Sequence, residues 1–166
     1  MRWPLASIPV PVLLVAVLVA GCSGASSRKA DSADATTAWP EGYTSWKKLN
    51  DAPIFREADQ RAWNLYANPS AFGRTGGESG LYPIGTVLVK EERLLEANPQ
   101  GRLKVGEAVR LSVMFKVGTG DTSGWSFKAY DPQDRREFPP DRVDPDGCYF
   151  CHADASARDY VFTKIR

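Results

Sequence analysis

Five residues late in the sequence, Cys148-Tyr149-Phe150-Cys151-His152, constrain this chain more than any other segment. The C-x-x-C-H pattern is typical of c-type haem attachment, in which two thiols bond to the porphyrin and the histidine coordinates the iron. A zinc site needs four ligands, whereas this motif supplies three. A thioredoxin-like redox pair is expected near the start of a βαβ unit, whereas this motif lies late in the sequence. The motif therefore predicts one covalent haem c, bound through Cys148 and Cys151, with His152 as the axial iron ligand.

Residues 1–21 resemble a bacterial lipoprotein signal peptide. Arg2 precedes an apolar segment over residues 10–19, which is shorter than a typical membrane-spanning helix, and small residues then precede Cys22. We expect cleavage before Cys22 and lipidation of its thiol, so that the protein is exported and anchored on a membrane facing the periplasm. An aspartate after the lipidated cysteine would suggest retention in the inner membrane. Here Ser23 follows Cys22, so the outer membrane is favoured. An ordinary signal peptide with an incidental cysteine is the alternative.

The mature chain is predicted to consist of a tether and one domain. Residues 22–38 contain no large apolar side chain, a composition typical of a flexible tether, and the folded domain is expected over residues 39–166. Without residues 1–21, basic and acidic side chains number 20 each. This balance gives no reason to expect nucleic acid or anionic lipid as a partner. With Cys22, Cys148 and Cys151 all assigned, no cysteine pair remains for a disulfide.

Frequent Gly and Pro residues favour short strands joined by turns. The predicted elements are strands over 61–67, 85–95, 109–117 and 125–129, a short helix over 43–51 and a helical turn over 70–74. Residues 109–117 show the clearest period-two alternation, and Gly118 and Gly120 predict a hairpin turn after them. Asp146 is expected to cap a helix that carries the haem motif. The result is an α+β domain, mainly antiparallel β-sheet with short peripheral helices.

Several segments together resemble the cytochrome P-460 family. They are Gly85–Glu91, Met114–Lys116, Gly124-Trp125, Cys148–His152 and Asp159–Thr163, and they occur in the family's order over most of residues 39–166. The C-x-x-C-H run alone is shared by many cytochromes, so the first and last of these segments make the resemblance specific. It implies a mainly antiparallel β fold, often homodimeric, with one c-type haem. It also implies that the motif histidine is proximal and that the other side of the iron is open.

The family resemblance implies two activities that centre on Lys90. The namesakes of the family carry a bond from a lysine nitrogen to the porphyrin and oxidise hydroxylamine, and their electrons pass to another cytochrome. The related cytochromes c′-beta lack this bond and bind nitric oxide. The resemblance aligns Lys90 with the bonded lysine and places Arg61 near the position of a distal arginine. An amine bonds to carbon only as the neutral base, so Lys90 needs desolvation or a nearby proton acceptor.

The chain departs from the hydroxylamine oxidisers in one strand. Their carboxylate near the bound ligand lies on the strand that reads 110–116 here, where no acid occurs. Glu91 is expected on the face opposite Lys90, in solvent. Met114 could complete a His/Met electron-transfer site, although methionine more often fills a gap in a core. Three functions stay open: hydroxylamine oxidation with Lys90 linked, nitric oxide binding without the link, and electron transfer with Met114 on the iron.

Overall fold

Within residues 38–74, 80–118 and 123–165, which the computed structural model describes, the chain forms one antiparallel sheet and one α-helix. The strands are β1 (Lys47–Lys48), β2 (Ile54–Arg56), β3 (Arg61–Ala67), β4 (Val87–Ala97), β5 (Leu103–Lys116) and β6 (Trp125–Tyr130), and the helix is α1 (Pro145–Ala153). Short 3-10 helices lie at Tyr43–Ser45, Glu57–Asp59, Pro69–Gly73 and Ser156–Arg158. This architecture confirms the predicted α+β class. None of the helices in these ranges has the length and apolar character required to span a bilayer.

The strand order is β1–β3–β4–β5–β6, and β2 also pairs with β3. The register sets Lys90 between Leu65 of β3 and Ser112 of β5. Side chains alternate between the two faces of a sheet, and residues paired directly across neighbouring strands point to the same face. Lys90, Leu65 and Ser112 therefore share one face. The β4–β5 register shifts between Glu92 and Arg93, as it does at a β-bulge, and such shifts re-aim the side chains beside them.

Both faces of the sheet bury apolar side chains. One face packs the cluster Tyr43, Val89, Leu111, Val113, Phe115 and Tyr130. The other face packs a cluster that includes Leu88, Met114, Trp125, Phe127 and Val161, with Cys148 and Tyr149 of α1 against it. Alternate side chains of β5 point to opposite faces, which accounts for the alternation predicted over 109–117. The face that carries α1 also carries the candidate site.

The helix predicted over 43–51 is wrong beyond its first turn. Only Tyr43–Ser45 is helical, and Trp46 already has an extended backbone, with ψ 168°. Lys47 and Lys48 then pair with β3. Pairing along the sheet edge therefore overrides the helix-like spacing of the apolar residues in this segment.

The cap of α1 is also corrected. Oδ1 of Asp144 accepts a hydrogen bond from the backbone N of Asp146 at 3.0 Å, so Asp144 caps the helix and Asp146 lies in its first turn. Pro145 occupies the first helical position, where its missing N–H costs nothing. The residue before the proline is therefore the one that caps.

Glu91 lies on the face opposite Lys90, as expected, but its predicted exposure to solvent is wrong. The residue is 3% exposed. Its carboxylate accepts hydrogen bonds from Tyr43 Oη and Asn64 Nδ2, both at 2.9 Å, and from Arg93 Nη1 at 3.1 Å. Burial, followed by the charge of Glu91, raises the pKa of Tyr43 above its ordinary value, so the phenol keeps the proton that it donates. These donors compensate for the burial of the charge.

Replacing Tyr43 by Phe is expected to lower the free energy of unfolding by about 1.5–3 kcal/mol, because the buried Glu91 carboxylate loses one donor. Urea unfolding followed by tryptophan fluorescence measures this change. Ser45→Ala is the control, since the Ser45 hydroxyl donates to Gly42 O in an exposed turn and its loss should change stability by less than about 0.5 kcal/mol. Equal effects of the two substitutions would contradict the role given to Tyr43.

Candidate functional site

A cavity of about 730 Å³ lies on the sheet face that carries Leu88 and Met114. Its volume falls in the range of small-molecule and cofactor sites, about 300–1,000 Å³. The walls are mainly apolar and come from β2 to β6, from α1 and from residues 161–163. The cavity is thus bounded by the sheet, the helix and the segment that follows the helix.

His152, the single histidine of the chain, lines this cavity from α1. Its Nδ1 lies 2.7 Å from the backbone O of Tyr160. A carbonyl oxygen only accepts hydrogen bonds, so Nδ1 carries the proton and Nε2 keeps a lone pair for a metal ion. The rings of Phe127 and Phe162 flank the imidazole at centroid distances of 5.2 and 5.1 Å. The tautomer and the ring orientation are therefore those that an iron ligand needs.

Cys148 and Cys151 lie three residues apart on α1, so they share one side of the helix, and both line the cavity. Both are free thiols. Burial raises the pKa of the Cys148 thiol, and Arg110 acts in the opposite direction. Within the described ranges, no group of three or more His, Cys, Asp or Glu side chains is arranged to hold a metal ion. The two thiols and His152 instead face one space, as attachment of a porphyrin requires.

Lys90 lines the same cavity from the middle of β4. Its Nζ lies 3.0 Å from Oε1 of Glu92 and 4.7 Å from the centroid of the Trp63 ring. The side chain is 36% exposed. The fold therefore brings Lys90 to the space that also receives Cys148, Cys151 and His152.

Glu92 is a site residue that the sequence motifs did not reveal. Its Oε1 accepts a hydrogen bond from Ser112 Oγ at 3.2 Å and lies 4.0 Å from Arg110 Nε, in addition to its ion pair with Lys90. The side chain is 16% exposed and lines the cavity. Glu92 thus supplies, from β4, the acid that is absent from residues 110–116. Strand alternation alone could have indicated this role, because Lys90 and Glu92 are two positions apart on one strand and therefore share a face.

Arg61 lines a second, smaller cavity of about 380 Å³. Glu92, Arg110, Arg142 and Val143 line both cavities, so the two are adjacent. Among the described residues, the arginines on the wall of the larger cavity are Arg56, Arg110 and Arg142. Arg61 therefore lines the neighbouring cavity and not the one that Lys90 lines, and its distal role stays a prediction. Three arginines and one acid line the smaller cavity: Arg61, Arg110, Arg142 and Glu92. This excess of positive charge suits binding of a carboxylate or another anion.

Comparison with known protein families identifies the fold. A family model described as Cytochrome P460 matches residues 40–163, which is most of the chain. The chain belongs to the cytochrome P-460 family. This confirms the resemblance found in the sequence and makes the protein a haem cytochrome of the P-460 type, with iron as its metal. Among curated proteins, no sequence matches this P-460 cytochrome.

The residues around the cavity of this P-460 cytochrome fit a haem. On the cavity wall, two buried donors, Trp63 Nε1 and Arg110 Nε, have no hydrogen-bond partner among the described residues; the 4.0 Å from Arg110 Nε to Glu92 is an ion-pair distance. A buried donor without an acceptor costs about 1–3 kcal/mol. Both donors therefore indicate a ligand that carries acceptors, and the propionate carboxylates of haem are such groups. The apolar walls suit the porphyrin ring.

Met114, the alternative iron ligand, belongs to the apolar core of the P-460 domain. It lies opposite Leu88 and Phe127 on the neighbouring strands. Met114 also lines the cavity that His152 lines. Its role as an iron ligand stays a prediction.

Proposed function

We propose that this P-460 cytochrome is an exported c-type monohaem protein that oxidises hydroxylamine, with Lys90 covalently bonded to the porphyrin. The observation that carries the proposal is the 3.0 Å ion pair between Lys90 Nζ and Glu92 Oε1, on the cavity wall shared with His152. The pair places an amine beside a proton acceptor at the edge of the cofactor space. When bound, haem supplies an iron centre that binds the substrate and accepts its electrons.

Residues of α1 would hold the haem. Cys148 and Cys151 would form its thioether bonds, and His152 would coordinate the iron through Nε2. Trp63 Nε1 and Arg110 Nε, which are buried without a protein acceptor in the described chain, donate to carboxylate or ligand oxygens. Met114, which packs in the core and also lines the cavity, would not bind the iron in this proposal, so that the iron would be accessible to a small nitrogen ligand.

Lys90 has to lose a proton before its nitrogen bonds to carbon, and Glu92 is the acceptor within reach. Formation of the N–C bond would remove one hydrogen from the nitrogen and one from the porphyrin carbon, that is, two protons and two electrons, and would therefore need an external two-electron oxidant such as a peroxide, which is reduced to water. The Ser112 hydroxyl donates to the same Glu92 oxygen and keeps the carboxylate aimed at the amine.

Glu92 also suits the oxidation of the substrate. Conversion of hydroxylamine to nitric oxide releases three protons and three electrons. Glu92 accepts protons at the wall of the larger cavity and can release them to the smaller one, which it also lines. A general base in such a position typically contributes about 10²–10⁴-fold to a rate. An oxidised c-type cytochrome is the proposed acceptor of the electrons.

Nitric oxide binding without the lysine bond is the second candidate. Lys90 Nζ already has two partners in the protein, the Glu92 carboxylate at 3.0 Å and the Trp63 ring at 4.7 Å, as it would if it only lined the cavity. In the third candidate, an electron carrier, Met114 ligates the iron, and the reduced protein would show a low-spin His/Met optical spectrum.

A tryptic map of the holoprotein tests the proposal, because trypsin cleaves after Arg74, Lys90 and Arg93. A linked Lys90 resists cleavage, so we expect residues 75–93 in one peptide that carries haem absorbance together with the Cys148–His152 peptide. Lys90→Arg keeps the positive charge, and its haem should remain on the motif peptide alone. Hydroxylamine-dependent reduction of a c-type cytochrome should be present in the native protein and lost in Lys90→Arg. A native map with a haem-free peptide ending at Lys90 would favour nitric oxide binding.

Location and partners are part of the same proposal. The signal over residues 1–21, lipidated Cys22 and the tether over 22–38 would place the domain of residues 39–166 on the outer membrane, facing the periplasm. Cys22 and residues 1–37 lie outside the described residues. A homodimer is proposed from the family, and a near-neutral charge supports the expectation that nucleic acid is not a partner.

A further inference from the structure

A buried ion pair joins the end of β5 to the segment that follows α1. Lys116 Nζ lies 2.8 Å from Asp159 Oδ1, and the two side chains are 1% and 2% exposed. Lys116 also donates to Ser123 O at 2.6 Å and lies 5.1 Å from the centroid of the Trp125 ring. Charges buried this deeply need paired partners, yet neither residue lines the larger cavity.

Asp159 is fixed by two further hydrogen bonds. Its Oδ2 accepts from the backbone N of Tyr82, and its backbone O accepts from Trp125 Nε1, both at 2.8 Å. Asp159 and Tyr160 have φ values of 53° and 64°, a left-handed conformation that residues other than glycine rarely adopt. Contacts with Lys116, Tyr82 and Trp125 therefore hold two consecutive residues in an unusual backbone conformation.

This conformation directs the Tyr160 carbonyl at the haem motif. Tyr160 O lies 2.7 Å from Nδ1 of His152, and the residue that precedes it is the one that Lys116 binds. Groups that accept from the second nitrogen of a ligating histidine orient the ring and raise its basicity toward the metal. The ion pair and the histidine are thus joined by a continuous set of contacts.

We propose that the Lys116–Asp159 pair is a positioning device that holds the Tyr160 carbonyl on His152 and thereby tunes the iron. The inference goes beyond the proposed reaction and rests only on the part of it that assigns iron ligation to His152. With the pair removed, the carbonyl is free to move away, and the imidazole becomes a weaker donor. Ferric iron then loses stabilisation relative to ferrous iron, so the reduction potential rises.

The test compares the native holoprotein with the double variant Lys116→Met/Asp159→Asn. This variant removes both charges together, and asparagine tolerates the left-handed conformation. We expect a higher reduction potential in a spectroelectrochemical titration, by about tenfold in the ferrous-to-ferric ratio, or about 59 mV for one electron. We also expect a lower iron–imidazole stretching frequency in the resonance Raman spectrum of the ferrous protein. Lys116→Gln, whose amide can still donate to Asp159, should show the same shifts at reduced size.

Tyr43→Phe is the matched control, because it removes a buried hydrogen bond to a carboxylate on the opposite face of the sheet. It should lower stability and leave both the potential and the stretching frequency unchanged. Native values in the double variant and in Lys116→Gln would overturn the inference, as would an equal shift in Tyr43→Phe. A native ferrous protein without an iron–imidazole band would instead refute ligation by His152, and the inference with it.

Discussion

Replacing Glu92 by Gln is expected to leave Lys90 unbonded to the haem and to lower the rate of hydroxylamine oxidation by about 10²–10⁴-fold. Glutamine has nearly the shape of glutamate and can still accept from Ser112, but it does not take a proton from the Lys90 ammonium group. Peptide mapping then reports the bond, and steady-state reduction of a c-type cytochrome reports the rate. Both readouts depend on the same carboxylate, which lies 3.0 Å from Lys90 Nζ.

Ser112→Ala is the control for Glu92→Gln. It removes a hydrogen bond of 3.2 Å to Glu92 Oε1 and leaves the carboxylate and its ion pair with Lys90 in place. We expect the haem bond to form and the rate to fall much less than in Glu92→Gln, because the carboxylate that accepts the proton is still present. A fully formed haem bond in Glu92→Gln would show that another group accepts the proton of Lys90.

Lys116→Met alone is expected to lower the free energy of unfolding by about 3–5 kcal/mol, because it leaves the Asp159 carboxylate buried without its partner charge. A domain of this size is typically stable by about 5–15 kcal/mol, so this loss is a large part of the total. Chemical unfolding of the holoprotein, followed by tryptophan fluorescence, measures it.

Lys128→Met provides the matched control. Lys128 Nζ lies 2.8 Å from Glu137, the same distance as between Lys116 and Asp159, but these side chains are 23% and 47% exposed. Exposed ion pairs contribute about 0–1 kcal/mol, so the two substitutions should differ several-fold although the geometry is alike. Comparable losses in both variants would show that burial of the Lys116–Asp159 pair does not set its contribution.

The strands around the site were predictable because each follows a local pattern. Residues 61–67 alternate and form β3 over those same positions. The apolar alternation over 109–117 corresponds to the C-terminal half of β5. The haem motif was likewise readable as a whole, because helical spacing brings Cys148, Cys151 and His152 to one side of α1.

The contacts of the buried charges were not predictable, because they depend on partners distant in the chain. Lys116 and Asp159 are 43 positions apart, and no periodicity in the sequence connects them. The burial of Glu91 depends on Tyr43, which is 48 positions away. Glu92 was predictable in part. Strand alternation indicates the face on which it lies, but its contact with Ser112 could be known only from the β4–β5 register.

The register shifts that follow Glu92 place the extra residues on β5, because the pairing of β4 with β3 continues unbroken from Leu88 to Leu94. Before the shifts, Leu88, Lys90 and Glu92 face the haem cavity, whereas the residues after them pair with the outer part of β5, up to Leu103. We therefore expect changes in length between β4 and β5 to be tolerated best at the outer end of this pair, where they leave the cavity-facing residues of β4 in register with both neighbouring strands.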